Sequence, residues 1–215
     1  MTNNKYQEIF EQLSRQLDEY PQSAKVIAVS KYVQSDEIKN AYQAGFRDFG
    51  ENRIPDLIRK AQELSISCPE IRWHFIGNIQ SNKIKDLMSL PDLYAIHSLD
   101  SMKHLKMIGE RAIGAVKIFI QVNTSGENQK GGVKSDDKII ELIDEIGHYP
   151  NLYFEGLMTM APLDGDLNLA RESFKKLTRF IGDKSPNYSM GMSGDYVVAL
   201  EQGSHYIRIG SLIFR

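Results

Sequence analysis

One lysine stands where an apolar segment of the chain gives way to polar residues. Lys31 directly follows the run Lys25–Ser30, whose β-branched residues predict a buried strand. An amine at the end of such a strand can attack an aldehyde. The alternative is an ordinary solvated lysine, and residue type alone does not decide between the two.

Two short segments near the C-terminus combine glycine with serine. The first contains Gly191, Ser193 and Gly194, and in the second Gly210 precedes Ser211. Glycine lets backbone amides approach an anion, and the serine hydroxyls add hydrogen-bond donors. Because both segments have this composition, we favour a phosphate site over the alternative that each only makes a tight turn.

A lysine amine and a phosphate site together predict a phosphorylated carbonyl ligand, and pyridoxal 5′-phosphate (PLP) fits that description. Arg208 lies in the apolar segment Tyr206–Ile209, where a cation needs an acceptor. A guanidinium can only donate, so it would donate to a pyridine nitrogen and leave that nitrogen unprotonated. The alternative is an arginine anchored by Glu201 or another acid.

A regular alternation of strand and helix patterns separates these residues. An amphipathic helix carries apolar residues from Tyr6 to Tyr20 and ends before Pro21, and strand and helix patterns then alternate. The predicted strands are Lys25–Ser30, Asp48–Glu51, Ile71–Ile76, Leu93–Ser98, Lys117–Val122, Leu152–Met158, Tyr188–Met190 and Tyr206–Ile209. This order predicts a single (β/α)8 TIM-type barrel with an extra N-terminal helix, forming one domain over residues 1–215. Ser35 and Asp100 are predicted helix N-caps.

The active site of such a barrel lies at the carboxyl ends of its strands. Lys31 follows the first predicted strand, Asn52 follows the second, and the glycine and serine segments follow the last two. Loops after strands 7 and 8 often bind phosphate in this fold. His74 lies within the third strand and is either a site residue or a histidine of the core.

The amino-acid composition excludes several kinds of binding partner and site. The 215 residues are 41% hydrophobic and 25% charged, and 26 basic against 28 acidic residues give a formal net charge of −2. This balance offers no general attraction to nucleic acid or to an anionic membrane. A single cysteine, Cys68, excludes an intrachain disulfide and a cysteine-rich metal site. With no apolar run of membrane length and no secretory pattern, we expect a cytoplasmic protein.

Eight sequence motifs in consistent order give the chain a family resemblance. They are VIAVSKY, DFGENRIPD, WHFIGNIQSNK, IHSLD, IQVNTSGENQKGGV, FEGLMTMAP, SMGMSGDYVVAL and IRIGSLIF, and they extend from about Lys25 to Phe214. As a set they resemble the pyridoxal phosphate homeostasis proteins, which are similar to the barrel half of an alanine racemase. Tyr32 departs from the family, in which threonine is common after the lysine.

The resemblance implies a role for each matching residue. It makes Lys31 the Schiff-base lysine, places Asn52 beside the ring oxygen of PLP and puts His74 near the ring. It implies that Arg208 faces the pyridine nitrogen and that the phosphate is held by Ser193, Gly210 and Ser211. The family is associated with control of free PLP, and it has no established turnover.

Three functions compete on these grounds. The first is a monomeric PLP carrier or buffer that passes the cofactor to apoenzymes. The second is a PLP-dependent enzyme such as a racemase. A racemase needs an acid–base group on each face of the α-carbon, so a single lysine is not sufficient. The third is a lysine-dependent aldolase for a phosphorylated sugar, which shares Lys31 and the phosphate loops and offers no role for Arg208. We expect the carrier.

Overall fold

A closed barrel of eight parallel strands forms the centre of the molecule. The fold, obtained as a computed structural model, is described over residues 2–125, 131–162, 165–182 and 185–215, with side chains from residue 4 onward. The strands are β1 (Lys25–Val29), β2 (Asp48–Glu51), β3 (Arg72–Phe75), β4 (Leu93–Leu99), β5 (Val116–Gln121), β6 (Leu152–Met158), β7 (Tyr188–Met192) and β8 (Tyr206–Ile209). Each strand pairs with its neighbour in chain order, and β8 pairs with β1.

Helices connect the strands on the outside of the barrel. They are α1 (Thr2–Leu17), α2 (Ser35–Gln43), α3 (Ile54–Leu64), α4 (Ile84–Met88), α5 (Met102–Gly109), α6 (Asp136–Ile146), α7 (Leu167–Arg179), α8 (Tyr196–Glu201) and α9 (Ser211–Phe214), and a 3₁₀ turn at Ser81–Lys83 precedes α4. Among the helices of the described residues, none combines the length and the apolar character needed to span a membrane.

The predicted (β/α)8 barrel and its N-terminal helix are confirmed, and the predicted strands differ from the observed ones by at most two residues at an end. Both predicted N-caps are wrong by one residue. Gln34 precedes α2, and its backbone amide donates to the Glu37 carboxylate at 3.3 Å. Ser101, whose hydroxyl accepts from the His104 amide at 3.4 Å, caps α5.

Residues 126–130 of the IQVNTSGENQKGGV motif lie outside the described residues.

Apolar packing divides into an outer and an inner part. The outer part lies between strands and helices and buries residues such as Phe49, Ile118 and Ile207 completely. The inner cluster is small and consists of Ile27, Ala95, Phe119, Met158 and Tyr206. A barrel interior of this kind is usually filled with branched apolar side chains. Here buried polar residues share the interior with the apolar cluster, and this places hydrogen-bonding groups beneath the mouth of the barrel.

Candidate functional site

A cavity of about 1130 Å³ opens at the carboxyl ends of the strands. Six of the seven predicted site residues line it, and they come from the ends of β1, β2, β7 and β8: Lys31, Asn52, Ser193, Arg208, Gly210 and Ser211. The parallel barrel explains this convergence, because it brings the carboxyl end of every strand to one rim. Residues that are up to 180 positions apart in the chain therefore face the same space.

Lys31 begins the loop after β1 and is partly buried at the wall of the cavity. Its Nζ lies 4.9 Å from the centre of the Tyr32 ring, and Tyr32 itself is 77% exposed at the rim. The residue before the lysine is held on the backbone, since the Ser30 amide donates to the Gly50 carbonyl at 3.0 Å. The base of the Lys31 side chain is therefore fixed, while its amine stays accessible from the cavity.

A buried ion pair that the sequence analysis missed supports this segment from below. Lys60 in α3 donates from Nζ to Glu51 Oε1 and to the Ser30 carbonyl, both at 2.7 Å, and Ser30 Oγ donates to the same carboxylate oxygen at 2.6 Å. Lys60 is 2% exposed and Glu51 is completely buried. Burial raises the pKa of the Glu51 carboxyl more than Lys60 and Ser30 lower it, and Glu51 Oε2 has no hydrogen-bond partner among the described residues.

The sequence did contain a signal for this ion pair. Lys60 stands between Leu57, Ala61 and Leu64 at the helical spacing that marks the buried face of α3. A lysine on such a face needs an anionic partner, because an unpaired buried charge is costly. The partner could not be identified from spacing, since Glu51 belongs to a different element.

Asn52 takes its place at the mouth through close contact between two backbone segments. It directly follows β2, and the position that a Cβ on Gly77 would occupy lies 2.0 Å from the Asn52 carbonyl oxygen. Only glycine therefore fits at position 77, after β3, while Asn52 keeps this location. Gly77 is a second residue whose role the sequence analysis missed.

The two glycine and serine segments meet at one side of the cavity. The Gly210 amide donates to Ser193 Oγ at 3.3 Å, which ties the loop after β8 to the loop after β7. Gly194 and Ser211 line the same wall. The Ser193 and Ser211 hydroxyls and the glycine backbone supply polar groups of the kind that hold an anion. This arrangement can bind a phosphate group.

Arg208 lies at the floor of the cavity and is 5% exposed. Its Nη1 donates to Ser189 Oγ and its Nη2 donates to the Thr159 carbonyl, both at 2.8 Å. Glu201 is not its anchor, because that carboxylate pairs with Arg171 at 2.6 Å. In the described part of the chain, no carboxylate accepts a hydrogen bond from Arg208. Burial lowers the pKa of the guanidinium to about 10, so it stays protonated at neutral pH.

His74 does not join the other six residues. It is completely buried inside the barrel, and its ring nitrogens lie 2.9 Å from Asp48 Oδ1 and 2.9 Å from His97 Nε2. The strand register puts His74 level with Gly50, two residues before Asn52, and therefore below the mouth. The alternative of a core histidine describes its position, and a direct contact between His74 and a ligand in the cavity is not supported.

Comparison with known proteins shows what this chain is similar to. The family model of the alanine racemase N-terminal domain matches residues 6–215. The pyridoxal phosphate homeostasis protein of Homo sapiens is 36% identical over an alignment of 209 residues, with 88% of this chain and 75% of the relative covered. The protein of the same name from Vibrio alginolyticus is 37% identical over 205 residues, with 90% and 87% covered.

A solved structure extends the similarity to three dimensions. The structure of PipY from Synechococcus elongatus PCC7942 with PLP bound has a TM-score of 0.85 and 29% identity, and the match covers 98% of this chain and all of PipY. The resemblance found in the eight motifs is thereby confirmed. The chain belongs to the alanine racemase N-terminal domain family and, within it, to the pyridoxal phosphate homeostasis proteins.

Proposed function

We propose that this chain binds PLP covalently through Lys31 Nζ and acts in PLP homeostasis as a carrier or buffer of the cofactor. One observation supports the proposal above others: an amine, an anion-binding wall and a buried guanidinium line a single cavity. The names of the relatives and the PLP-bound structure of PipY support the same function.

The residues present fit PLP group by group. When bound, PLP supplies an aldehyde that condenses with amines and a pyridine ring that draws electrons from what is attached to it. In this proposal Ser193, Gly210 and Ser211 bind the phosphate, and Asn52 lies beside the ring oxygen. Arg208 donates to the pyridine nitrogen. Because the guanidinium keeps its protons at neutral pH and can only donate hydrogen bonds, that nitrogen stays unprotonated and the ring is a weaker electron sink.

A weak electron sink suits a protein that stores a reactive aldehyde without transforming amino acids. We therefore propose that the chain has no catalytic turnover, acts as one domain and a monomer in the cytoplasm, and passes PLP to apoenzymes. The racemase alternative requires sustained conversion of an amino acid by the pure protein, and such turnover would overturn the carrier proposal.

The test is the absorbance of the purified protein followed by chemical fixation. We expect a yellow protein, and borohydride reduction followed by peptide mapping should place the label on Lys31. Lys31→Ala should remove the absorbance and leave the circular dichroism spectrum unchanged, because the side chain lies at the cavity wall and not in the core.

Lys83→Ala is the matched control, since Lys83 is another amine that lines the same cavity. It should keep the absorbance. A colourless protein that ignores added PLP would favour the aldolase alternative, and a label on Lys83 would contradict the assignment of Lys31.

A further inference from the structure

A continuous series of hydrogen bonds crosses the barrel interior beneath the cavity. Arg208 Nη1 donates to Ser189 Oγ at 2.8 Å, and Ser189 Oγ lies 2.9 Å from His97 Nδ1. His97 Nε2 lies 2.9 Å from His74 Nδ1, and His74 Nε2 lies 2.9 Å from Asp48 Oδ1. All five residues are buried, and they come from β8, β7, β4, β3 and β2. We call this series the core chain.

The end of the core chain that is remote from the cavity fixes where its protons lie. Burial alone would raise the pKa of the Asp48 carboxyl, but hydrogen bonds from Arg72 and His74 outweigh it and hold the pKa well below its usual range. Arg72 binds both carboxylate oxygens, at 2.7 and 2.6 Å. An ionised carboxylate can only accept, so His74 Nε2 carries a proton and donates it to Asp48.

The remaining directions follow one from another. Burial lowers the pKa of both histidines below the ordinary value of 6.5, so at neutral pH each ring is neutral and has one donor and one acceptor. His74 Nδ1 therefore accepts from His97 Nε2, and His97 Nδ1 accepts from the Ser189 hydroxyl. Because the Ser189 proton is directed at His97, a lone pair of Ser189 Oγ remains for Arg208. Every bond in the core chain then points the same way, from Arg208 to Asp48.

We propose that His97 and His74 are positioning residues for the cofactor: through Ser189, they hold the Arg208 guanidinium in the orientation in which it donates to the pyridine nitrogen. The proposal rests on the proposed function, since it takes PLP as the ligand. Ser189 and the Thr159 carbonyl fix the two terminal nitrogens of Arg208, and a planar group held at two points has a defined plane. Without His97 as its acceptor, the Ser189 hydroxyl is free to rotate its proton toward the guanidinium.

The test compares PLP with its 1-deaza analogue, in which C–H replaces the ring nitrogen and cannot accept a hydrogen bond. We expect wild-type protein to bind PLP more tightly than the analogue. In Ser189→Ala and His97→Leu, PLP binding should weaken about tenfold, as for loss of one hydrogen bond to a charged group, while binding of the analogue should change less than about twofold. His97→Gln, whose amide both donates and accepts, should restore most of the preference for PLP.

Phe119→Leu is the matched control for packing, because the Phe119 ring stacks on His97 at 4.2 Å and takes no part in the core chain. It should leave the preference for PLP intact. Equal weakening of both ligands in Ser189→Ala and His97→Leu, with native circular dichroism, would overturn the proposal, as would a wild-type protein that binds both ligands equally well. Failure of the wild-type protein to bind PLP at all would instead refute the proposed function.

Discussion

Removal of Lys60 isolates a buried carboxylate, and the consequence for stability is calculable. In Lys60→Met, Glu51 loses the ammonium group 2.7 Å from its Oε1, and its Oε2 already has no partner among the described residues. Breaking a buried ion pair by removing one partner costs about 3–5 kcal/mol. Against a typical total stability of about 5–15 kcal/mol, this is a large loss. For a chain of this length it corresponds to a fall in Tm of about 6–20 °C.

The pH dependence of this loss has a definite sign. With its partner removed, burial holds the pKa of Glu51 above its ordinary value of 4.5 in the folded state. A group with a raised folded pKa contributes stability that is present below the unfolded pKa and is lost as pH rises through the folded pKa. The loss of unfolding free energy in Lys60→Met, relative to wild type, should therefore be smaller at about pH 5 than at about pH 8.

The assay is urea and thermal unfolding followed by circular dichroism at both pH values. The double variant Lys60→Met/Glu51→Gln is the matched control, because it removes the charge while retaining the shape and the acceptor for Ser30 Oγ. It should regain most of the lost stability. A loss below about 1 kcal/mol in the single variant, the usual worth of an exposed pair, would refute this reasoning. So would a deficit that does not change with pH.

Two further predictions concern the cavity and the remote end of the core chain. Ser193→Ala combined with Ser211→Ala should weaken PLP more than phosphate-free pyridoxal in a binding titration, because both hydroxyls line the wall assigned to the phosphate; equal losses would contradict that assignment. Asp48 has a folded pKa below its ordinary value of 3.8, so its contribution to stability is present above that value and is lost as pH falls through the folded pKa. The free energy of unfolding of Asp48→Asn should accordingly fall less steeply with decreasing pH below about pH 4 than that of wild type. Identical slopes would show that the Arg72 and His74 contacts contribute nothing to stability.

The barrel could be predicted from the sequence because most strands are short apolar runs with turn signals on both sides. Strand β7 has the weakest strand pattern, since its serine, glycine and methionines have no β-branched character. Pairing with β8, which sets Met192 against Arg208, extends this strand beyond the predicted end. The end of β7 is therefore set by tertiary contacts and not by the local sequence pattern.

Topology alone assigns residues that follow a strand to the mouth, whereas it does not fix the depth of residues inside a strand. Lys31 and Asn52 come after the last residue of β1 and β2, so topology alone places them at the rim. His74 and Arg208 both lie within strands, and their depth depends on register and on side-chain length. Arg208 pairs with Ile27 and still reaches the cavity floor because its side chain is long, while the shorter His74 stays in the interior.

The core chain and the Lys60–Glu51 ion pair differ in how completely their hydrogen bonds are satisfied. In the core chain every side-chain nitrogen and oxygen from Ser189 to Asp48 has a hydrogen-bond partner, with Arg72 as the partner of Asp48 Oδ2, and a fully satisfied network specifies a single arrangement of its members. The Glu51 carboxylate has one oxygen without a partner among the described residues, so the ion pair beneath Lys31 leaves one buried hydrogen-bond acceptor unsatisfied. The cavity floor at Arg208 is therefore held in one arrangement by its hydrogen bonds. Substitution of Lys60, or a change in the protonation of Glu51, acts on the segment that carries Lys31, because Lys60 also donates to the Ser30 carbonyl.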